Sequence, residues 1–199
     1  MNRRSDGISS AATCAFYSRL LGDAWCSVHP FVKSGHLTDG PLSGEGIFKV
    51  SNGGGVLVRV IRSLLRLPKF SSDTHVSVNV TPAEDGELWI RRIGSRMLRT
   101  RQRLGDSGLM CESFGWLEFC FKLHVADGAI EYEQIRARIR LALIRIPIPS
   151  RIAPQIRAIE RAGEMPNQTR VSVQVRLPRG GLLLAYDGRV NWAVPEDER

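Results

Sequence analysis

The chain has 199 residues, 43% hydrophobic and 24% charged, proportions that exclude intrinsic disorder and are enough to bury a sizeable core. Its net charge of +8 comes from 24 arginines and 4 lysines against 20 acids, scattered without a basic run or an aromatic-interleaved RNA motif, so nucleic acid is not an expected partner. No stretch reaches the ~18 apolar residues of a membrane span and the start carries no apolar signal core, so a cytoplasmic protein is expected.

Residues 1–9 are expected to be disordered and 10–199 to form one domain. Ser10–Leu21 carries a helical stripe of Ala12, Phe16, Leu20 and Leu21, with Ser9 or Ser10 as N-cap and Gly22 as C-cap. A second short apolar segment surrounds His29-Pro30, and Gly35–Gly44 reads as a loop. Glu45–Val50 is a first strand, ended by Asn52-Gly53-Gly54-Gly55. That glycine run lacks the lysine and the strand-helix-strand setting of a phosphate loop. Val56–Leu67 reads as an amphipathic helix, with Val56, Leu57, Val60, Ile61, Leu64 and Leu65 on the side that should cover a sheet and Arg59, Arg62 and Arg66 opposite; such a helix can also lie on a membrane.

Extended segments then recur every eight to twelve residues, the rhythm of an antiparallel sandwich or barrel. They are His75–Pro82, Glu87–Ile93, Met97–Leu104, Leu109–Phe114, Leu117–Val125 and Ile130–Leu143. The last switches apolar parity between Tyr132 and Ile135, which predicts a bulge near Glu133 or Gln134. Ile146-Pro147-Ile148-Pro149 breaks it, and Ile152–Ala162 reads as a short helix after Pro154, with Glu160 a charge at its end. Thr169–Leu177 alternates with Val171, Val173 and Val175 inward, and Leu182–Val194 places Leu184, Tyr186, Val190 and Trp192 on one parity. The expected fold is mainly β: a curved antiparallel sheet or barrel of about eight or nine strands, with N-terminal helices and one amphipathic helix over it.

The meander from Glu87 to Val125 carries the functional signal. A three-residue loop Asp106-Ser107-Gly108, with glycine left-handed, pairs Leu104 with Met110 and Gln102 with Glu112. Arg99, Arg101 and Arg103 then point outward, and a one-residue slip would bury all three, so the register is strongly selected. A tight hairpin at Gly115-Trp116 sets Glu112 opposite Phe119 and Cys111 opposite Cys120, with Glu118, Lys122 and His124 outward. Upstream, a turn around Ser95 and Arg96 pairs Leu98 with Ile93, Thr100 with Arg91 and Gln102 with Trp89. The inner face is therefore apolar except for Arg91, Thr100, Gln102 and Glu112, with Arg91 and Glu112 ~10 Å apart by strand spacing.

A buried carboxylate needs a partner. The four polar residues read either as an internal network that fixes register or as the polar end of an apolar ligand pocket, with Trp89 and Tyr186 beside it. An acid/base version uses Glu112, its pKa raised by burial unless Arg91 holds it ionised, with Tyr186 or His36 as second group. His29, His75 and His124 fall on loops or outward positions. Cys14, Cys26, Cys111 and Cys120 show no metal-ligand spacing and are expected to be free thiols, although Cys111 and Cys120 could meet across the hairpin. Neither a cofactor nor a metal is expected.

The chain resembles a bacterial family known only as a domain of unknown function, DUF4166, found alone or fused behind reductases of the saccharopine-dehydrogenase-like type. The matching pieces run from about Phe16 to Val194. They include Phe16-Tyr17 with Leu21-Gly22, Trp89-Ile90-Arg91-Arg92-Ile93-Gly94, Thr100 with Gln102, Glu112 with Gly115, Ile146-Pro147-Ile148-Pro149 with Ala153-Pro154, and Glu160, Pro178, Gly181 and Tyr186 with Gly188. Arg145 stands where the family usually has glycine. The resemblance implies no activity, but it implies a domain that tolerates fusion to redox enzymes, and it suits the arginine-rich composition of a GC-rich bacterial genome. Three functions follow as expectations. The first is a binding module for a small hydrophobic or amphipathic molecule; the others are an isomerase- or cyclase-like enzyme using Glu112 and an interaction domain that docks a reductase.

Overall fold

A computed structural model describes residues 16–36, 40–68, 70–141 and 144–193. Among these residues three short α-helices and eleven strands follow one another: α1 Phe16–Leu21, α2 Pro30–Lys33, β1 Leu42–Ser51, α3 Val56–Leu64, β2 Ser71–Ala83, β3 Gly86–Ile93, β4 Arg96–Leu104, β5 Met110–Phe114, β6 Leu117–Ala126, β7 Ala129–Leu141, β8 Ile144–Pro147, β9 Gln155–Ala162, β10 Gln168–Leu177 and β11 Gly181–Trp192, with 3-10 turns at Gly22–Ser27 and Asp106–Gly108. Of the expected first helix, the part before Phe16 lies outside the described residues, as does the segment expected to be disordered.

Apart from β8, each strand pairs antiparallel with the next, β7 pairing with β9, and β11 returns to β1. The sheet is thus a closed up-and-down barrel of ten strands, with β8 as an eleventh that lies along the same edge of β7 as β9 does. Closure leaves no long unpaired edge. The closing seam between β1 and β11 is rich in glycine: a Cβ on Gly188 would meet the Phe48 ring at 2.0 Å and the Ile47 carbonyl at 2.3 Å, and one on Gly46 would meet the Arg189 carbonyl at 1.7 Å. Glycine at such points lets the sheet coil tightly enough to close.

Three expectations about elements are corrected. Gln155–Ala162 is a strand rather than a helix: its backbone pairs with β7 on one side and β10 on the other. The β3–β4 hairpin turns one residue earlier than expected, which shifts the pairing by two. Gly94, at φ +56°, makes a two-residue turn with Ser95 and pairs Ile93 with Arg96. Thr100 therefore opposes Trp89, Leu98 opposes Arg91 and Gln102 opposes Glu87, and a displacement of two leaves every side chain on its predicted face. In α3 the face toward the barrel is Val58, with Ile61 beside it, while Val56, Leu57, Val60 and Leu64 are exposed. The register of β4 with β5 and of β5 with β6 is the predicted one. The bulge in β7 is also present, displaced by one residue: Cys120 and Phe121 face Arg136 and Gln134, and Ile135 is the extra residue.

Chain direction divides the barrel into two ends. The N-terminal helices close one: the His29 amide donates to the Gly128 carbonyl (2.9 Å) and the Thr169 hydroxyl donates to the Phe31 carbonyl (3.0 Å). α3, inserted between β1 and β2, lies at the other. There Val58 packs on Leu177 and Leu183, and the Gly53 amide donates to the Leu182 carbonyl at 3.0 Å. The inner faces of the strands between the two ends are lined by the two largest core clusters.

Candidate functional site: a polar-ended cavity inside the barrel

Strand alternation sends Trp89 and Arg91 of β3, Thr100 and Gln102 of β4 and Glu112 of β5 into the barrel together. The Arg91 guanidinium donates from Nη1 to the Thr100 hydroxyl (2.8 Å) and to Glu112 Oε1 (3.1 Å), and its carbon lies 4.5 Å from the Trp89 ring centroid. Burial alone would lower the Arg91 pKa, but the Glu112 carboxylate and Tyr186 outweigh it and hold the guanidinium charged. The Trp89 indole donates to Glu87 Oε2 (2.8 Å), which fixes the ring under the arginine. The charge of Glu112 thus has the protein partner that its position demanded.

A second hydrogen-bonded group meets the first at Gln102. The Tyr17 hydroxyl donates to Gln102 Oε1 (2.9 Å) and lies 3.1 Å from the Tyr132 hydroxyl. Tyr132 donates to Glu160 Oε1 (2.9 Å), and His36 Nε2 lies 2.7 Å from Glu160 Oε2. Burial would raise the Glu160 pKa, yet the charge and hydrogen bond of His36, with the Tyr132 hydroxyl, bring it below the ordinary carboxylate value. Being ionised, Glu160 only accepts, so His36 donates to it from Nε2. His36 stacks on Tyr17 with ring centroids 3.8 Å apart, and its Nδ1 has no hydrogen-bond partner among the described residues.

Glu160 was expected at a helix end and is instead a buried member of the site. The signal was present in β9, where Ile156, Ala158 and Glu160 alternate with Arg157, Ile159 and Arg161. Ile152, Ile156 and Ile159, however, also fit helical spacing, and the residues between favour helix. Tyr17 and Tyr132 were likewise missed as polar members, because their contacts join positions far apart in the chain.

These two groups form one end of an interior cavity of about 190 Å³, room for about six waters at their liquid volume. Besides Arg91, Thr100, Gln102 and Glu112, its polar lining includes Tyr132, Glu160 and Tyr186; most of the rest is aliphatic or aromatic. Tyr186 stacks on Phe48 (5.4 Å, 12° between planes). Its hydroxyl makes no hydrogen bond among the described residues. Burial with Glu112 and Glu160 nearby pushes its pKa up to about 12 despite Arg91, so it remains a donor at neutral pH. Toward α3 the cavity is bounded by Leu65 and Leu67.

The outer wall differs from the expectation in two respects. Cys111 and Cys120 form a disulfide across β5 and β6, leaving Cys26 as the exposed free thiol among the described residues. Directly opposite pairing on the outer face brings the two thiols together. Glu118, expected in solvent, is fully buried and accepts from Arg103 Nη2 at 2.7 Å, with Arg138 and Arg140 each 3.9 Å away. The arginines on β4 and β7 fold over it, and their apolar stems exclude water. His29 and His75 are exposed and His124 partly so, as expected.

Fold and site together define a closed up-and-down β-barrel protein with a polar-ended interior cavity. Within that class the chain belongs to the domain of unknown function family DUF4166, whose model matches residues 28–190. No curated protein and no solved structure matches it.

Proposed function

We propose that the barrel binds one small, mainly apolar molecule with a hydroxyl or carbonyl at one end. The observation that carries this reading is the empty volume beside Glu112: a network serving only to fix strand register would be packed solid, whereas about 190 Å³ is open here and apolar walls with a few convergent polar groups are the usual makeup of a ligand site. Two groups are available to a ligand. Tyr186 has a free donor, and Glu112 Oε2 lies beside the oxygen that accepts from Arg91, so a ligand hydroxyl could accept from the first and donate to the second. A carboxylate fits less well, because Glu112 already neutralises Arg91 and Glu160 adds a second negative charge at the same end.

The direct test is native mass spectrometry of the protein as purified, paired with analysis of its organic extract. The expected result is a retained neutral molecule that is lost on denaturation and is retained less by Tyr186→Phe, by about two- to tenfold for one hydrogen bond. An as-purified protein of bare polypeptide mass that also fails to take up a medium-chain alcohol would overturn the reading.

A further inference from the structure

We infer that the α3 end of the barrel docks on the surface of an anionic phospholipid bilayer. At about 100° of arc per residue, Val56, Val60, Leu64 and Leu57 occupy one sector of α3, and Ile61, Leu65 and Val58 the adjoining one. The helix thus has an apolar arc about twice as wide as the barrel uses. Val58 is fully buried, while Val56 and Leu64 are 70% and 72% exposed. The helix is nevertheless firmly seated: a side chain on Gly53 would strike the Leu182 carbonyl at 2.1 Å, and Leu65 and Leu67 form part of the cavity wall. The exposed face therefore belongs to the folded protein.

The strand ends around α3 continue this surface. Phe70, Met97, Trp116, Leu141 and Ile144 are all exposed there, each at a strand end or turn on the same side of the barrel. At the opposite end only Leu104 and Met165 are exposed in this way among the described residues. Scattered exposed apolar residues carry no message, but a concentration of them at one end marks a contact surface.

Charge identifies the partner. The connections on the α3 side, 52–70, 94–95, 115–116 and 178–180, contain Arg59, Arg62, Arg66, Lys69 and Arg179 and no aspartate or glutamate. Those on the far side, 84–85, 105–109, 127–128 and 163–167, contain Glu84, Asp85, Asp106, Asp127 and Glu164 and no lysine or arginine, and the helical segment 16–36 that closes this end adds Asp23 with Arg19 and Lys33, which leaves the end net acidic. Arg59, Arg66 and Arg179 are exposed and form no ion pair among the described residues. The molecule therefore has a basic apolar end and an acidic polar one. An apolar patch edged with arginine matches the headgroup and acyl boundary of a negatively charged membrane, whereas a second copy presenting the same end would set arginine against arginine. No helix among the described residues is long and apolar enough to cross a membrane, so the contact lies at the interface. The inference is independent of what the cavity holds, although it would place the cavity's α3 boundary against the lipid.

The test is flotation of the full chain with phosphatidylcholine vesicles, with and without phosphatidylglycerol, together with its mass in solution by light scattering. The protein is expected to float with the anionic vesicles, to be released by salt, and to ignore the neutral ones. The double variant Leu57→Asp/Leu64→Asp should lose about tenfold or more in partition with an unchanged melting temperature, since both side chains are exposed. Arg59→Gln and Arg66→Gln should each lose about fivefold, and Leu104→Asp at the far end nothing. Equal flotation of the double variant, or no flotation of the wild type on anionic vesicles, would overturn the inference. So would a wild-type dimer that fails to float and that Leu57→Asp/Leu64→Asp dissociates, which would assign the face to a second copy.

Discussion

At the scale of single residues, the site was legible where one hairpin turn set the phase. Gly108 ends a three-residue reversal that lines Gln102 up with Glu112 on the inner face, and the Gly115-Trp116 hairpin adds Phe119 to them. Arg91 reached the same face although its predicted pairing was two residues off, because a displacement by two preserves parity. Glu160 was not legible, since nothing in a segment rich in Arg, Ala and Glu announces that its one inward carboxylate will meet His36, more than a hundred residues earlier. That pair makes a testable statement about acid stability. The folded-state pKa of Glu160 is lowered, so its contribution is complete above the ordinary carboxylate value near ~4.3 and is lost as pH falls through the folded value. Glu160→Gln should therefore cost about 1–3 kcal/mol at pH 7, the price of an unmet buried hydrogen bond. In urea unfolding across pH, the gap to wild type should narrow below pH ~4. A gap that stays constant down to the lowest pH at which both proteins fold would contradict this account of Glu160.

At the scale of elements, strands written with clean alternation were found where expected, and the two misread segments failed for different reasons. β9 has intrinsic helix propensity, but it lies between β7 and β10, both of which have an edge to fill, and the ladder hydrogen bonds gained on both sides override propensity. In α3 the helix itself was read correctly but its orientation was not, because an apolar arc wider than the contact does not say which part is covered. The disulfide was similarly underdetermined: pairing Cys111 with Cys120 in register made it possible, while composition favoured free thiols. The glycines of the closing seam carry a demand that spacing alone does not reveal. Gly188→Ala should destabilise by about 2 kcal/mol or more, since the added methyl meets a ring and a carbonyl that are fixed in the core. Gly54→Ala, in open space, should change stability by less than about 0.5 kcal/mol. Thermal unfolding of the two variants checks this, and equal melting temperatures would mean that the seam is not tight.

For the molecule as a whole, the regular spacing of strands predicted an antiparallel β architecture, yet the ten-strand closure depends on β9 and on the return of β11 to β1, which no local pattern specifies. Closure has two consequences that no segment shows alone. It creates an interior, partly filled by the polar groups around Arg91 and Glu112, and it sorts the connections into one basic apolar end and one acidic end. The cavity is the center of the functional proposal, and isothermal titration calorimetry with a medium-chain alcohol tests it most directly. The account predicts saturable binding at one site per chain with a negative heat-capacity change from apolar burial, weakened in Tyr186→Phe and abolished in Val173→Phe, whose ring would occupy the cavity. Binding that survives Val173→Phe unchanged, or no heat of binding for any apolar alcohol, would contradict it.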